Sequence, residues 1–229
     1  MSQFPCAAYI LHTRDYRETS LIVNLFSRSE GVVDAVLNGG KSKKWRGIAR
    51  EFSPLLAAWS GRGNLKTVTQ LEQASMPHAI AANPLFAGLY VNELLIRLLP
   101  ANQPFPVLFD HYCLCLDDLA GGAPLEPTLR RFERVLLDEL GYEIDFANDH
   151  LGRSLQANGH YRYSHLSGFI GCAALEDGAF LGADLLAIEA EQWQNDDVRR
   201  AAKRLMRLAL QPLLGEKPLR SRGLFFHGG

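Results

Sequence analysis

No Cys-x-x-Cys pair occurs anywhere in the 229 residues, and only four cysteines are present: Cys6, Cys113, Cys115 and Cys172. A structural zinc site built on paired thiolates therefore has no sequence support. Cys113 and Cys115 are two apart in a helical pattern, where such neighbours do not face each other, so reduced, buried thiols are expected. His150, His160 and His165 precede Cys172, but these spacings match no standard metal arrangement, and no metal is expected. Apolar runs near the ~20 residues that span a bilayer are missing, which argues against a membrane partner. The opening MSQFPCAAYILHTRDYRE lacks the basic flank and apolar stretch of a secretory signal, so a cytoplasmic location is expected. Also lacking are an internal repeat, a low-complexity tract, a Ser/His/Asp set, a Gly-x-Ser-x-Gly elbow and glycosidase-like paired carboxylates. Neither an enzyme nor a cofactor is implied.

What is present is an ordinary globular composition, 47% hydrophobic and 21% charged, long enough to bury a sizeable core. The net charge of −1 hides an uneven distribution. Residues 1–80 carry 10 Lys/Arg against 6 Asp/Glu, residues 81–198 carry 6 against 18, and residues 199–229 carry 8 against 1. Two basic ends thus flank an acidic middle, and such asymmetry points to a polyanionic partner for the ends.

Strand-like runs fill the first third: Cys6–His12, Thr19–Phe26, Gly31–Asn38, Phe52–Trp59 and Leu65–Ser75, separated by turn-formers such as Ser60-Gly61-Arg62-Gly63-Asn64. In TSLIVNLF both alternating sets are largely apolar, so this strand is expected to be covered on both faces. Five strands without intervening helices fit a small closed barrel, most simply an OB-fold. After Asn83-Pro84 the period becomes helical, through Leu98, then over Val107–Leu119 and Thr128–Leu140, with short Pro/Gly linkers. Residues 148–182 break that period with six glycines and short strand-like pieces. Helix returns at Leu185–Glu191 and, most clearly, from Asp196 to about Leu214, whose first turn is acidic and body basic, as the helix dipole prefers. The expected class is α+β: a five-stranded OB-fold barrel over 1–80, a helical domain over 81–147 and 183–229, and a small irregular β insertion over 148–182.

Two basic clusters stand out. The first, GGKSKKWRG, contains Gly40-Lys41-Ser42, the tail of a phosphate-cradling loop. The glycine that such a loop needs five residues earlier is Ala35, and no convincing helix follows, so a nucleotide hydrolase using Lys41 is a weak alternative. A polyanion site needs only flexible cations and a stacking platform. Lys41, Lys43, Lys44, Arg46 and Arg50 supply the charge and Trp45 a ring, with Arg14, Arg62 and Lys66 as extensions. In the second cluster, Arg199, Lys203 and Arg207 fall at i, i+4 and i+8 with Arg200 and Arg204 beside them, followed by Lys217, Arg220 and Arg222. The competing reading is a scaffold whose basic ends merely clamp its acidic centre. Arg130 and Arg131, next to Leu129, Phe132 and Leu136, could receive a peptide carrying carboxylates and an aromatic residue, or could pair with Glu126, Glu133 or Glu139.

The segments YILHTRDYRETSLIVNLFSRSEGVVDAVLNGGKSK, LYVNELLIRLL, LRRFERVLLDELGY and AAKRLMRLALQPLLGEKPLRSRGLF together resemble the RecO family of bacterial DNA repair proteins, most closely its proteobacterial members, almost end to end. The resemblance implies an OB-fold, a helical domain and an inserted module. It implies a non-enzymatic recombination mediator, cytoplasmic and nucleoid-associated. Such a protein binds single- and double-stranded DNA and anneals complementary strands, and with RecR it helps RecA displace single-strand binding protein. By the same resemblance the family's basic loop falls on Lys41, Lys43 and Lys44 and its C-terminal motif on Lys217, Arg220 and Arg222. The surface that receives the acidic C-terminal tail of single-strand binding protein includes Arg130. Some members carry a four-cysteine zinc module in the insertion; here the stretch His150 to Cys172 keeps only Cys172, so zinc is not carried over.

Overall fold

The computed structural model describes residues 4–174 and 176–224, without the side chains of residues 222 and 224. Five strands, β1 (Cys6–Tyr16), β2 (Ser20–Ser27), β3 (Gly31–Leu37), β4 (Leu55–Ser60) and β5 (Leu65–Gln73), close a barrel in the order β1-β2-β3-β5-β4, with β4 returning to β1. All neighbours are antiparallel except β3 and β5, which run parallel with Asp34 opposite Leu65. Alternation puts Ile10, Val23, Leu25, Val33, Ala35, Leu55, Ala57, Trp59 and Leu71 inside. The expected barrel is thus observed, and β2 is indeed covered twice: Val23 and Leu25 face the interior, while Phe26 is buried on the outside against Phe109 and Tyr112.

Those two aromatics belong to α3 (Pro106–Ala120), which with α2 (Asn83–Leu98) covers the outer wall of the barrel. Asn92 of α2, buried, donates to the Leu11 carbonyl at 2.9 Å and accepts from the Tyr112 hydroxyl at 2.8 Å, so all three polar groups are satisfied inside an apolar contact. The link between the helices runs over the start of β3. Gly31, at φ +68°, sits so close that a Cβ there would come within 1.8 Å of the Gln103 carbonyl oxygen. Glycine is required for both reasons.

Three local features depart from the sequence reading. A single helical turn, α1 (Lys43–Arg46), follows Ser42, where no helix was expected. Phe52 does not begin a strand; it takes a left-handed conformation (φ +60°) and buries its ring, so β4 starts at Leu55. The segment after Pro218 forms a further short helix, α7 (Arg220–Leu224).

The chain divides into two compact units, Met1–Ala123 with Leu219–Gly229, and Pro124–Pro218. The second holds α4 (Leu125–Glu139), the three-stranded sheet β7-β6-β8 made of β6 (His160–Ser164), β7 (Gly168–Gly171) and β8 (Phe180–Leu181), then α5 (Gly182–Glu189) and α6 (Asp196–Leu214). Asn195 caps α6, its side chain accepting from the Asp197 amide at 2.8 Å, and Val198, Ala202, Leu205, Met206, Ala209 and Leu210 bury one face. Two aspartates order the loops that lead into the small sheet. Asp145 accepts from the Ala147 and Asn148 amides. Asp149 accepts from the Leu151 and Arg153 amides and twice from the Arg153 guanidinium, at 2.8–3.0 Å.

The Arg153 guanidinium holds the Asp149 carboxyl down at about 2; its partial desolvation opposes this and the two amides reinforce it. A carboxyl depressed in the folded state stabilises above its unfolded pKa, ~3.9, and that contribution fades as pH falls toward the folded value. Amide protection at Leu151 and Arg153 should therefore hold at pH 5 and decline between about pH 4 and 2. Asp149→Asn should lower it already at pH 7 and flatten the pH dependence, as measured by hydrogen exchange.

Candidate nucleic-acid interface

The loop that leaves β3 is built before it is charged. The Lys41 amide donates to the Thr19 carbonyl at 3.0 Å, tying the loop to the β1–β2 turn. The Lys41 ammonium is used in the same way: it donates to the Arg17 carbonyl at 3.2 Å and pairs with Asp15 at 3.2 Å. Lys41 is thus an internal brace, half-buried, and not an open phosphate ligand. Trp45 is likewise committed. Its indole packs on the barrel core beside Ile48 and Ala49, and the Lys44 ammonium lies 4.4 Å from its ring centre. That cation–π contact contributes ~0.5–1 kcal/mol and covers a face that a base would need.

The remaining cations of the loop are open. Lys43, Lys44, Arg46 and Arg50 are exposed, and none forms an ion pair with a described carboxylate. The physical reason is local: α1 is one turn long, has no buried residue and no acidic residue, and turns all its cations outward. Arg14, near the end of β1, is exposed too. Arg17, in the β1–β2 turn, joins this group although the sequence reading passed over it. Its signal was available, a cation in the tight turn of a predicted hairpin, but only the Lys41 bond shows that the turn meets the basic loop. Arg62 is exposed at the tip of the β4–β5 hairpin, while the Lys66 ammonium closes that hairpin by donating to the Gly61 carbonyl at 3.3 Å. Because β5 begins opposite Asp34, in the middle of β3, this hairpin is not part of the loop that follows Leu37.

The cationic stripe of α6 is largely neutralised within its own unit. Arg199 pairs with Asp196 and with Glu126, Arg200 with Asp197, and Lys203 with Glu126 at 3.6 Å. The Arg204 guanidinium sits over Phe180, 3.8 Å from the ring centre, and donates to the Ala179 carbonyl. Only Arg207 of the five is exposed without a described ionic or hydrogen-bond partner. Lys217 and Arg220 are exposed, and the Arg222 side chain lies outside the described residues.

Arg130 is not on a receiving surface. It is 7% exposed and donates at 3.0 Å to Glu133, which is fully buried one turn on. The i, i+3 spacing brings the two together on the buried face of α4, so the pairing alternative holds, with Glu133. Arg131 stays on the outside and pairs with Glu191 at 3.1 Å. Among the described residues no group of three or more His, Cys, Asp or Glu could hold a metal ion, and no helix is long and apolar enough to cross a membrane.

The chain thus has a five-stranded barrel of OB type whose braced loop turns Lys43, Lys44, Arg46 and Arg50 outward. Residues 1–77 match the family model for the recombination protein O N-terminal region, and residues 83–223 match that for its C-terminal region. The chain is 46% identical over 221 residues to the DNA repair protein RecO of Pseudomonas paraeruginosa, covering 96% of this chain and 94% of that one. It is 43% identical over 220 residues to the DNA repair protein RecO of Haemophilus influenzae Rd, covering 95% and 93%. The chain belongs to the RecO family of DNA repair proteins, a family of repair mediators and not of enzymes.

Proposed function

We propose that this chain binds single- and double-stranded DNA through its barrel loop, anneals complementary strands, and acts with RecR to let RecA replace single-strand binding protein. The observation that carries the reading is the set Lys43, Lys44, Arg46 and Arg50, exposed and without carboxylate partners on an OB-type barrel. Annealing requires two like-charged backbones to approach, and cations without internal partners are the groups able to release counterions from them. Arg14 and Arg17 extend the surface, with Arg62, Arg207 and Arg220 as outlying contacts. Such a protein would work in the cytoplasm, at the nucleoid.

The partner for the acidic tail of single-strand binding protein is better sought away from Arg130. A cavity of about 550 Å³ lined by Pro124, Leu125, Glu126, Pro127, Trp193, Gln194 and Arg199 has apolar walls that suit an aromatic residue, but its one cation, Arg199, is already paired with Glu126 and Asp196, so a carboxylate would have to displace those partners. The clamp reading has one specific observation in its favour, the ion pairs of Arg199, Arg200 and Lys203, so neutralising those three is expected to cost stability rather than DNA affinity. The function is tested by mixing two complementary labelled oligonucleotides with the protein. Faster duplex formation at low salt, lost at high salt, supports annealing; an unchanged rate at every salt concentration refutes it.

A further inference from the structure

A three-bond polar contact outside the basic loop joins α2 to the last described turn of the chain. Glu93 accepts from the Arg220 amide at 2.9 Å with one carboxylate oxygen. With the other it accepts from the Ser221 amide at 2.9 Å and the Ser221 hydroxyl at 2.7 Å. These amides open α7 and have no partners within it. A five-residue helix does not hold itself together in water, so something else must fix it. On either side of the exposed Arg220, Leu219 and Ser221 are buried. Burial raises the Glu93 carboxyl, but the Ser221 and Arg220 bonds and the nearby Arg97 charge outweigh it and hold the group below the ordinary carboxylate range. At neutral pH Glu93 is therefore ionised, with both oxygens in use.

Both α2 and α7 lie in the unit that contains the barrel. The chain leaves that unit at Ala123 and comes back at Leu219, and Glu93 is where the return is fastened. We propose that Glu93 is a positioning residue for nucleic-acid binding: it fixes the cationic C-terminal segment at Arg220 on the unit that carries the barrel loop, so that both contribute to one DNA-binding body. This rests on the DNA-binding reading above. The proposal makes a prediction of unusual sign. Removing an anion from a protein that binds a polyanion should by simple electrostatics strengthen binding. If the carboxylate instead anchors a cation, its removal weakens binding.

The test uses the full chain carrying Glu93→Gln, with Ser221→Ala as a second variant that keeps the carboxylate and removes one bond. Tryptic cleavage after Arg220 and titration of a fluorescent single strand at several salt concentrations are both measured. Expected are faster cleavage in both variants, affinity for DNA lowered by roughly 3–10-fold in Glu93→Gln and less in Ser221→Ala, and a salt slope reduced by about 1. Unchanged cleavage in both variants would overturn the anchor. Faster cleavage with equal or tighter DNA binding would overturn its role in positioning. Absence of DNA binding by the unsubstituted protein would instead remove the functional reading, and with it the purpose of the anchor, while the cleavage result would still show the contact.

Discussion

Arg130→Ala is expected to cost about 3–5 kcal/mol in the unfolding of the unit Pro124–Pro218, because it takes a cation away from a buried carboxylate. Glu133 is fully buried and Arg130 is 7% exposed, so the 3.0 Å bond between them offsets part of the cost of desolvating both charges. Glu133→Ala is expected to be similarly damaging. The joint replacement Arg130→Met with Glu133→Leu removes both charges and fills similar volume, and should recover most of the loss or exceed the starting stability. Guanidinium titration followed by circular dichroism measures all three. A stable Arg130→Ala variant that loses only affinity for an acidic peptide would restore Arg130 to a receiving surface and contradict its assignment as a core residue.

The second large effect concerns the basic loop. Lys43→Ala, Lys44→Ala and Arg46→Ala combined should weaken binding to single strands more than about tenfold at low salt, alike for all sequences. The slope of log affinity against log salt should flatten by about 2, the worth of three single-strand phosphate contacts. Stability should change little, since α1 buries none of its residues fully and Trp45 keeps its packing on the barrel core. Lys41→Ala is a different case. It breaks the bonds to Asp15 and the Arg17 carbonyl, so it should loosen the β1–β2 turn as well as weaken binding. An unaltered affinity and slope in the triple variant would exclude the loop from the interface.

Much of the architecture could be read from the chain because the period of the apolar residues is a backbone property. The alternation in SLIVNLFS and the switch to helical spacing after Pro84 need no tertiary information, and both were found where expected. What could not be read was which charge finds which partner. Lys41 and Lys43 are indistinguishable in sequence, yet one is a brace and the other open, because only the folded turn delivers Asp15 and the Arg17 carbonyl to Lys41. Arg199 and Lys203 make a cationic stripe on a helical wheel, but Glu126, more than seventy residues earlier, lies beside both. In sequence Trp45 offers a ring for stacking, whereas its position against the barrel core depends on a helical turn too short to leave a periodic signal. Pairing at long range is decided by the fold, and the two ends of the chain differ in it: in the barrel loop only Lys41 has a described ionic partner, whereas in α6 Arg199, Arg200 and Lys203 all do.

The account turns on whether the unpaired cations of the barrel loop meet phosphate. Fluorescence titration of one oligonucleotide by the unsubstituted protein, repeated between about 50 and 200 mM salt, measures this directly. A log–log slope of −2 or steeper, the same for unrelated sequences and flattened in the triple alanine variant, is the predicted result. Binding that is absent, or equally tight across that range, would contradict it.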